Sequence, residues 1–366
     1  MTRPSLARSA FGLTSAGAAV DRWTLDSGTG VRADVLTHGA ILHGLTVPAA
    51  SGDDACVVLN LPTVADYERR SPFFGAVVGR YANRIADGAF TLDGSAYRVP
   101  VNDRGHALHG GPDGFDRRLW SAEPGPAGED TVALRLTLHS ADGDMGFPGA
   151  LDVTATYTLD RQGTLRLDYR ATTDAATVVN LTHHAYFNLA GAGIGDVLSH
   201  TLALDSAAFL PVGPDGIPLG DLEPTEGTAF DFATPRPIGE RIGDEDPQLR
   251  SMGGYDHCWA LDPAAPREGP LRRAARLADP LTGRRLEVWT TEPGVQVYTG
   301  NGLDGSLSGA DGKPYDRHGA VCLETQHFPD SPNRPAYPST VLRPGQAFAS
   351  TTEFRFPQLA GRPGGT

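Results

Sequence analysis

Short runs of alternating or β-branched residues recur along the whole chain, and Gly, Pro, Asp or Asn bounds most of them. The clearest runs are residues 31–36, 41–47, 131–138, 151–159, 165–169, 286–290 and 294–298. Successive strand residues point to opposite faces, so an alternating run puts one face in a core and the other in solvent. The 45 glycines and 29 prolines among 366 residues favour many turns and few long helices. The best helical candidate is the short segment 63–69. The sequence therefore predicts an all-β fold, one large sandwich of mostly antiparallel strands with few short helices.

The size and charge of the chain limit its organisation and its partners. No linker is long enough to divide it, and 40% hydrophobic residues suffice for a substantial core, so we expect a single domain over residues 1–366. The net charge of −13 repels phosphate backbones and anionic lipid, which argues against nucleic-acid and membrane partners. No window approaches eighteen uninterrupted apolar residues, so we expect no membrane-spanning helix.

The cysteines and the N-terminal segment bear on the compartment. Cys56, Cys258 and Cys322 are far apart and odd in number, and they form no CxxC pair. They predict neither a disulfide framework nor a cysteine metal site, but reduced, mostly buried thiols in a cytoplasmic protein. Residues 9–20 imitate a signal peptide only crudely, because the stretch contains Gly, Ser and Thr and lacks a run of Leu or Val.

Six segments carry more polar and ionisable residues than a plain sandwich requires. They are residues 79–85, 108–111, 180–189, 254–257, 296–301 and 321–330. Each has a structural reading: Arg80 or Arg84 can pair with a carboxylate, and His183 or His184 can be a hydrogen-bonded core residue. Glu324 follows an apolar run, where a carboxylate is costly to bury unless it is paired or functional. The number of such segments together favours a functional site.

Taken in order, these segments resemble the aldose 1-epimerase (galactose mutarotase) family from about residue 11 to residue 356. The matching segments are residues 39–42, 46–48, 79–85, 90–94, 108–111, 114–116, 180–189, 254–257, 293–301, 324–333 and 342–345. The resemblance implies a galactose mutarotase-like β-supersandwich. It also implies an isomerase that interconverts the α and β anomers of free aldoses of the glucose and galactose class. By the same resemblance the enzyme needs no cofactor and binds a monosaccharide. We expect no metal and a monomer or homodimer.

The resemblance also assigns roles to residues. It implies that Glu324 is the base that takes the proton from the anomeric hydroxyl, and that His184 is the acid that protonates the ring oxygen. The residues it implies for binding sugar hydroxyls or steadying the ring oxygen are Asn83, Arg84, His109, Tyr186, Asp256 and Gln296. Trp259, or an aromatic residue near Phe328, is a candidate for the apolar face of the sugar.

One position departs from the family pattern. His183 stands where the family usually has Asn, directly before the acid His184. We expect His183 to point away from the sugar and to replace a structural hydrogen bond. The alternative is that this bulkier, titratable side chain alters the choice of sugar or repurposes the site.

Other functions remain open at this stage. A same-fold enzyme acting on a sugar phosphate or conjugate would need basic residues at the pocket rim, for which Arg80, Arg84, Arg117 and Arg118 are candidates. A non-catalytic sugar-binding module would be expected to lack the base or the acid, and both are present. A zinc site from His109, His183, His184 and His327 lacks a supporting ligand spacing. The sequence does not reveal the preferred sugar, the oligomeric state or recruitment to a specialised pathway.

Overall fold

The structure is a computed structural model that describes residues 2–49 and 51–357. Met1, Ala50 and residues 358–366 of the predicted domain lie outside this part. The first strands are β1 (Ser5–Leu13), β2 (Ala19–Asp26), β3 (Arg32–Leu36), β4 (Leu42–Pro48), β5 (Asp54–Cys56), β6 (Val77–Val78), β7 (Arg84–Ile85), β8 (Ala89–Leu92), β9 (Ser95–Arg98), β10 (Ala107–Leu108), β11 (Ser121–Pro124), β12 (Thr131–Ser140), β13 (Leu151–Asp160) and β14 (Thr164–Thr173).

The second part of the chain continues in the same style. Its strands are β15 (Thr177–Val178), β16 (Thr182–His183), β17 (Tyr186–Phe187), β18 (Thr201–Leu204), β19 (Ala208–Leu210), β20 (Glu223–Pro224), β21 (Arg236–Pro237), β22 (Asp256–Ala260), β23 (Arg267–Glu268), β24 (Leu271–Ala278), β25 (Arg285–Thr290), β26 (Gly294–Tyr298), β27 (Val321–Gln326), β28 (Val341–Leu342) and β29 (Phe348–Arg355). The α-helices of the described residues are α1 (Val64–Arg70) and α2 (Pro247–Met252), and the single 3₁₀ turns are Ala86–Gly88, Phe115–Arg117, Asp144–Gly146, Ile238–Glu240 and Ser331–Asn333.

The predicted all-β class is confirmed, and each of the seven predicted runs lies on a strand. Six of them match the strand ends within two residues, and the run 165–169 stops four residues before the end of β14. The predicted helix 63–69 is α1, which begins after Thr63 because the Thr63 hydroxyl accepts a hydrogen bond from the Asp66 backbone N–H. Residues 9–20 span the end of β1 and the start of β2, which pair as an antiparallel hairpin. Neither α1 nor α2, nor any other helix among residues 2–49 and 51–357, is long and apolar enough to cross a bilayer.

Three larger sheets organise the molecule. The first has five strands in the order β1-β2-β3-β4-β5, and the second has ten strands in the order β11-β12-β13-β14-β29-β25-β24-β18-β21 with β23 paired to β24. The third has six strands in the order β17-β27-β26-β22-β19-β20. Every ladder between these strands is antiparallel over the described residues. Short two-stranded pairings, including β6 with β16 and β7 with β10, connect loops that lie over the third sheet.

The three sheets share one hydrophobic cluster. Leu25 of the five-stranded sheet, Leu134 and Leu167 of the ten-stranded sheet, and Val295 and Leu323 of the six-stranded sheet are all fully buried in it. A sheet that is apolar on one face must bury that face against another element, and here the sheets bury their apolar faces together.

The six-stranded sheet has a different character on its other face. Leu323 of β27 points into the core, so its neighbours Cys322 and Glu324 point to the opposite side. The antiparallel register places Glu324 opposite Gln296 of β26, and Tyr298 of β26 opposite Asp256 of β22. Strand alternation therefore collects polar and aromatic side chains from three strands on one face of this sheet.

Candidate active site

A cavity of about 300 Å³ lies over this polar face of the six-stranded sheet. Its walls are formed by Pro72, Phe73, Asn83, Arg84, Asp103, Arg104, Leu108, His109, His184, Tyr186, Met252, Asp256, Tyr298, Asn301, Gly302 and Glu324. The cavity thus brings together every site residue predicted from sequence except Gln296. These residues come from loops and strands that are far apart in the chain, which is why no single segment defines the site.

Glu324 and His184 face each other in the cavity wall. The Nε2 atom of His184 lies 3.6 Å from Oε1 of Glu324, and both side chains are almost fully buried. The second carboxylate oxygen, Oε2, has no hydrogen-bond partner among the described residues. A separation of 3.6 Å is longer than a good hydrogen bond, so both groups keep capacity to bond a ligand.

Burial sets the protonation of this pair. It raises the pKa of the Glu324 carboxyl well above its ordinary value, and the negative charge of Asp256 adds to the rise while Arg84 opposes it. Burial also lowers the pKa of the His184 imidazole to about 4. Both shifts have the same cause, because a low-dielectric site disfavours whichever form is charged. Over a wide pH range the two groups together therefore hold one proton.

The His184 ring is held on its faces and on its far edge. The rings of Tyr186 and Phe73 stack on it, with centroid distances of 5.0 and 5.8 Å and interplanar angles of 22° and 24°. On the edge away from Glu324, Nδ1 lies 3.5 Å from the sulfur of Cys322. Phe73 was missed from sequence because an apolar residue in a loop carries no signal that it lines a cavity.

His109 presents a defined donor to the cavity. The backbone N–H of Asn83 donates to its Nδ1 atom over 3.1 Å, so in the neutral ring the hydrogen is on Nε2. The ring is neutral because burial lowers its pKa well below the ordinary value, helped by the nearby His184 and Arg84. His109 lies directly after β10 with a φ of 52°, held by a bond from its own N–H to the Asn83 carbonyl.

The same tautomer decides whether a metal fits. Ligand atoms of His109, His184 and Glu324 lie within 4.8 Å of one another, the spacing of a three-ligand metal site. A metal on Nε2 of His109 needs the lone pair of that atom, but the Asn83 N–H at Nδ1 keeps a hydrogen there. This donor set therefore suits a hydroxyl-bearing ligand better than a metal ion. His327, another histidine of the four-histidine zinc hypothesis, lies outside the cavity, and its Nδ1 is 2.6 Å from Oε2 of Glu292.

The charged residues of the cavity are oriented by protein partners. Arg84 donates from Nε to Asp103 over 2.9 Å, which leaves guanidinium hydrogens for a ligand. Asp256 accepts a 2.7 Å bond from Nε2 of Gln296. Gln296 itself is buried behind the cavity wall, and its Oε1 has no partner among the described residues. The geometry thus makes Gln296 a support for Asp256, and Gln296 does not line the cavity.

The cavity also contains residues that the sequence analysis did not single out. Tyr298 accepts a hydrogen bond from the Gly302 N–H over 2.8 Å, which packs its ring against the opening. Tyr186, in contrast, was predicted from sequence; it donates its hydroxyl hydrogen to the Pro72 carbonyl over 3.0 Å, so that hydrogen is not available to a sugar. Tyr298 and Asn301 lie in the polar segment 296–301, where the signal for them was present.

His183 lies on the other side of its strand from the cavity. Its Nε2 is 3.1 Å from the Tyr157 hydroxyl oxygen, and its ring packs near Phe354 in the core. The Tyr157 hydroxyl donates its own hydrogen to the Ala40 carbonyl, so Nε2–H of His183 is the donor in the contact. The structure therefore places His183 as expected, away from the cavity and in a structural hydrogen bond.

Several other candidate residues have structural surroundings. Trp259 is buried and donates to the Phe230 carbonyl. Neither Trp259 nor Phe328 lines the cavity, and its apolar face is formed by Phe73 and Tyr298. The Arg80 guanidinium is buried among the Gly149 carbonyl, the Ser140 side chain and other oxygens, and Arg117 and Arg118 do not line the cavity.

The glycines after His109 also have a structural reason. A Cβ on Gly110, which has a φ of 87°, would lie 2.1 Å from the Gly79 carbonyl oxygen. This glycine therefore allows close approach of two backbone segments.

Comparison with known proteins adds an independent line of support. The sequence model of the aldose 1-epimerase family matches residues 21–355. The galactose mutarotase of Rattus norvegicus is 42% identical over 96% of this chain and 98% of its own length. The aldose 1-epimerase of Escherichia coli strain K12 is 36% identical over 91% and 94%. Among solved structures, galactose 1-epimerase from Lactobacillus acidophilus superposes with a TM-score of 0.84 at 27% identity, covering 96% of this chain and 98% of that one.

Proposed function

The chain belongs to the aldose 1-epimerase family and is an aldose 1-epimerase, and we propose that Glu324 is the base and His184 the acid of its reaction. The observation that carries this assignment is the 3.6 Å approach of His184 Nε2 to Glu324 Oε1 in the wall of a cavity. Anomer exchange needs a proton to leave the anomeric hydroxyl and another to reach the ring oxygen. Two groups at this separation, each open to the cavity, suit those tasks.

The steps follow from the two groups. Glu324 takes the proton from the anomeric hydroxyl while Nε2–H of His184 gives a proton to the ring oxygen. The bond between the anomeric carbon and the ring oxygen breaks, and the anomeric carbon becomes an aldehyde. After rotation about the carbon–carbon bond next to the aldehyde, the hydroxyl formed from the ring oxygen attacks the other face of the aldehyde. His184 takes back the hydroxyl proton and Glu324 returns its proton to the carbonyl oxygen, so both groups end as they began.

The environment suits this proton exchange. In the ring-opening step the pair reacts as carboxylate and imidazolium, and after ring opening it is carboxylic acid and neutral imidazole. Burial favours the second arrangement, as the raised pKa of Glu324 and the lowered pKa of His184 show. Attraction between the two charges favours the first arrangement, so the two arrangements differ little in free energy. Each group is expected to contribute about 10²–10⁴-fold to the rate.

The remaining cavity residues would bind the sugar. We propose that Nε2–H of His109 and the free hydrogens of Arg84 donate to sugar oxygens, with the Asn83 side chain beside them. Asp256, held by Gln296, accepts from sugar hydroxyls, and the ring of Phe73 supplies an apolar surface. A cluster of fixed donors and acceptors around one aromatic face is the usual composition of a small polar ligand site.

The substrate that we propose is a free hexose of the galactose and glucose class. The curated relative from Rattus norvegicus is named for galactose, and the chain matches it over nearly its full length. A phosphorylated sugar would need an unpaired basic cluster at the rim. The arginines that line the cavity are Arg84, paired with Asp103, and Arg104, which donates to the Pro214 carbonyl. This partnering favours an uncharged sugar over a sugar phosphate.

Polarimetry tests the substrate class. Freshly dissolved α-D-galactose, α-D-glucose and glucose 6-phosphate would each be followed to anomeric equilibrium with and without the protein. We expect the protein to accelerate the two free hexoses more than the phosphate. Acceleration of the phosphate alone would favour the sugar-phosphate alternative, and sugar binding without acceleration would favour a non-catalytic module.

We also propose that the protein acts in the cytoplasm as a monomer or homodimer, as one domain with its core over residues 11–356, and without a nucleic-acid partner. The support is the net charge of −13 and three free cysteines, of which Cys258 and Cys322 are buried thiols. Size-exclusion chromatography with light scattering measures the oligomeric state, and cell fractionation identifies the compartment. A species larger than a dimer, or recovery outside the cytoplasm, would contradict these proposals.

A further inference from the structure

Cys322 contacts the proposed acid on the side that the reaction steps leave unused. Its sulfur lies 3.5 Å from Nδ1 of His184, within hydrogen-bond distance for sulfur, and both residues are buried. The backbone fixes this contact, because Cys322 is directly opposite Tyr186 in the ladder of β17 and β27. Tyr186 in turn stacks on His184, so the ring is held by two neighbours that the same ladder places.

We propose that Cys322 is a positioning residue whose sulfur accepts a hydrogen bond from Nδ1–H of His184 and so keeps Nε2 as the nitrogen that exchanges protons. This inference rests on the proposed role of His184 as acid. An imidazolium carries hydrogens on both nitrogens, so the sulfur opposite Nδ1 must accept. After Nε2 has given its proton away, Nδ1–H remains on the sulfur and the lone pair of Nε2 faces Glu324.

The direction of this bond matters for catalysis. In a neutral imidazole the bond made by one nitrogen decides which nitrogen carries the hydrogen. Were the hydrogen on Nε2, that atom would have no lone pair to take back the proton when the sugar ring closes. The sulfur remains a neutral thiol here, since burial and the nearby Glu324 and Asp256 raise the pKa of Cys322 well above its ordinary value.

The chain offers a matched control in Cys258. It is a second buried cysteine on the same face of the same sheet, opposite Gln296, but the only hydrogen-bond partner of its sulfur among the described residues is the Trp259 carbonyl at 3.9 Å. Cys258→Ala removes the same atom as Cys322→Ala without touching a histidine. Cys322→Ser keeps an acceptor at the position and serves as the conservative variant.

The experiment combines a spectroscopic and a kinetic measurement on the full chain. Histidine labelled with ¹⁵N reports which ring nitrogen carries the hydrogen, and the His184 signal is identified by its loss in His184→Asn. At neutral pH we expect His184 to carry the hydrogen on Nδ1 in the wild type, in Cys322→Ser and in Cys258→Ala. In Cys322→Ala we expect a shift toward Nε2–H, with kcat lower by about three- to tenfold and KM nearly unchanged, since one hydrogen bond is lost.

Three results would overturn the proposal: a wild-type His184 with its hydrogen on Nε2, an unchanged tautomer in Cys322→Ala, or the same shift in Cys258→Ala. The tautomer is a property of the protein without sugar, so it is read independently of the reaction. If His184→Asn kept full activity while the Nδ1–H tautomer was present, the acid assignment would fail and the contact alone would stand.

Discussion

The Nε2 atom of His184 lies 3.6 Å from Oε1 of Glu324, although His184 lies between β16 and β17 and Glu324 is on β27. The link between them is the pairing of β17 with β27, which sets Tyr186 opposite Cys322. His184 is two residues before Tyr186, and Glu324 is two residues after Cys322. The imidazole and the carboxylate therefore lie over the same face of the sheet. Sheet register thus fixes the relative position of the proposed acid and base.

The pH dependence of the reaction should reflect one shared proton. Because burial lowers the pKa of His184 to about 4, a second proton binds the pair only below that pH, and kcat/KM should fall there. Because burial raises the pKa of Glu324 well above its ordinary value, the last proton leaves only above that raised pKa, and kcat/KM should fall again. Polarimetric initial rates, corrected for the spontaneous reaction, give the profile. An acid limb centred on the ordinary imidazole value of 6.5 would contradict this reading.

Asp256→Asn should affect both affinity and the alkaline limb. The loss of a charged acceptor for sugar hydroxyls is expected to raise KM by about tenfold or more. The negative charge of Asp256 contributes to the raised pKa of Glu324, so the alkaline limb should move to lower pH in the variant. Asp93→Asn is the matched control, because Asp93 is an exposed residue paired with Arg343 away from the cavity. An unchanged KM together with an unchanged alkaline limb would contradict the proposed role of Asp256 in sugar binding.

His183→Asn should change stability but not kinetics. Burial lowers the pKa of His183 to about 3, whereas the unfolded chain titrates near 6.5, so below pH 6.5 the unfolded state binds the additional proton. The stability contributed by neutral His183 is therefore complete above pH 6.5 and is lost as the pH falls toward 3. Between pH 7 and pH 5 the variant should lose about 2 kcal/mol less unfolding free energy than the wild type, measured by urea denaturation.

The kinetic half of that prediction separates the two interpretations of His183. Rates on galactose and glucose should stay within about twofold of the wild type, because His183 contacts Tyr157 and not the cavity. A changed ratio between the two sugars would instead support an effect of this residue on specificity.

The sequence predicted the strands well, because hydrophobic alternation and turn residues are local signals. The run 294–298 coincides with β26, and the helix at 63–69 is α1 with Thr63 as its cap. Sheet order is not local, and so the pairing of β14 with β29 or of β22 with β26 could not be read from either strand alone.

The site was predicted in part for the same reason. Polar residues in an apolar context, such as Glu324 and His184, were visible in the sequence, and the family resemblance assigned their roles. Phe73 was not visible, since an apolar loop residue looks the same whether it lines a cavity or a core. The bond from Gln296 to Asp256 depends on strand register, and the contact between Cys322 and His184 depends on sheet pairing, so both needed the structure.

The most direct test of the acid–base pair is a double-mutant cycle on mutarotation of α-D-galactose. Glu324→Gln and His184→Asn remove the base and the acid, and each should lower kcat by about 10²–10⁴-fold while sugar binding persists. Because the two groups exchange protons in one step, the double variant should be little slower than the slower single variant. Wild-type turnover in either single variant would contradict the assignment of that residue, and strictly additive losses would contradict their action as a pair.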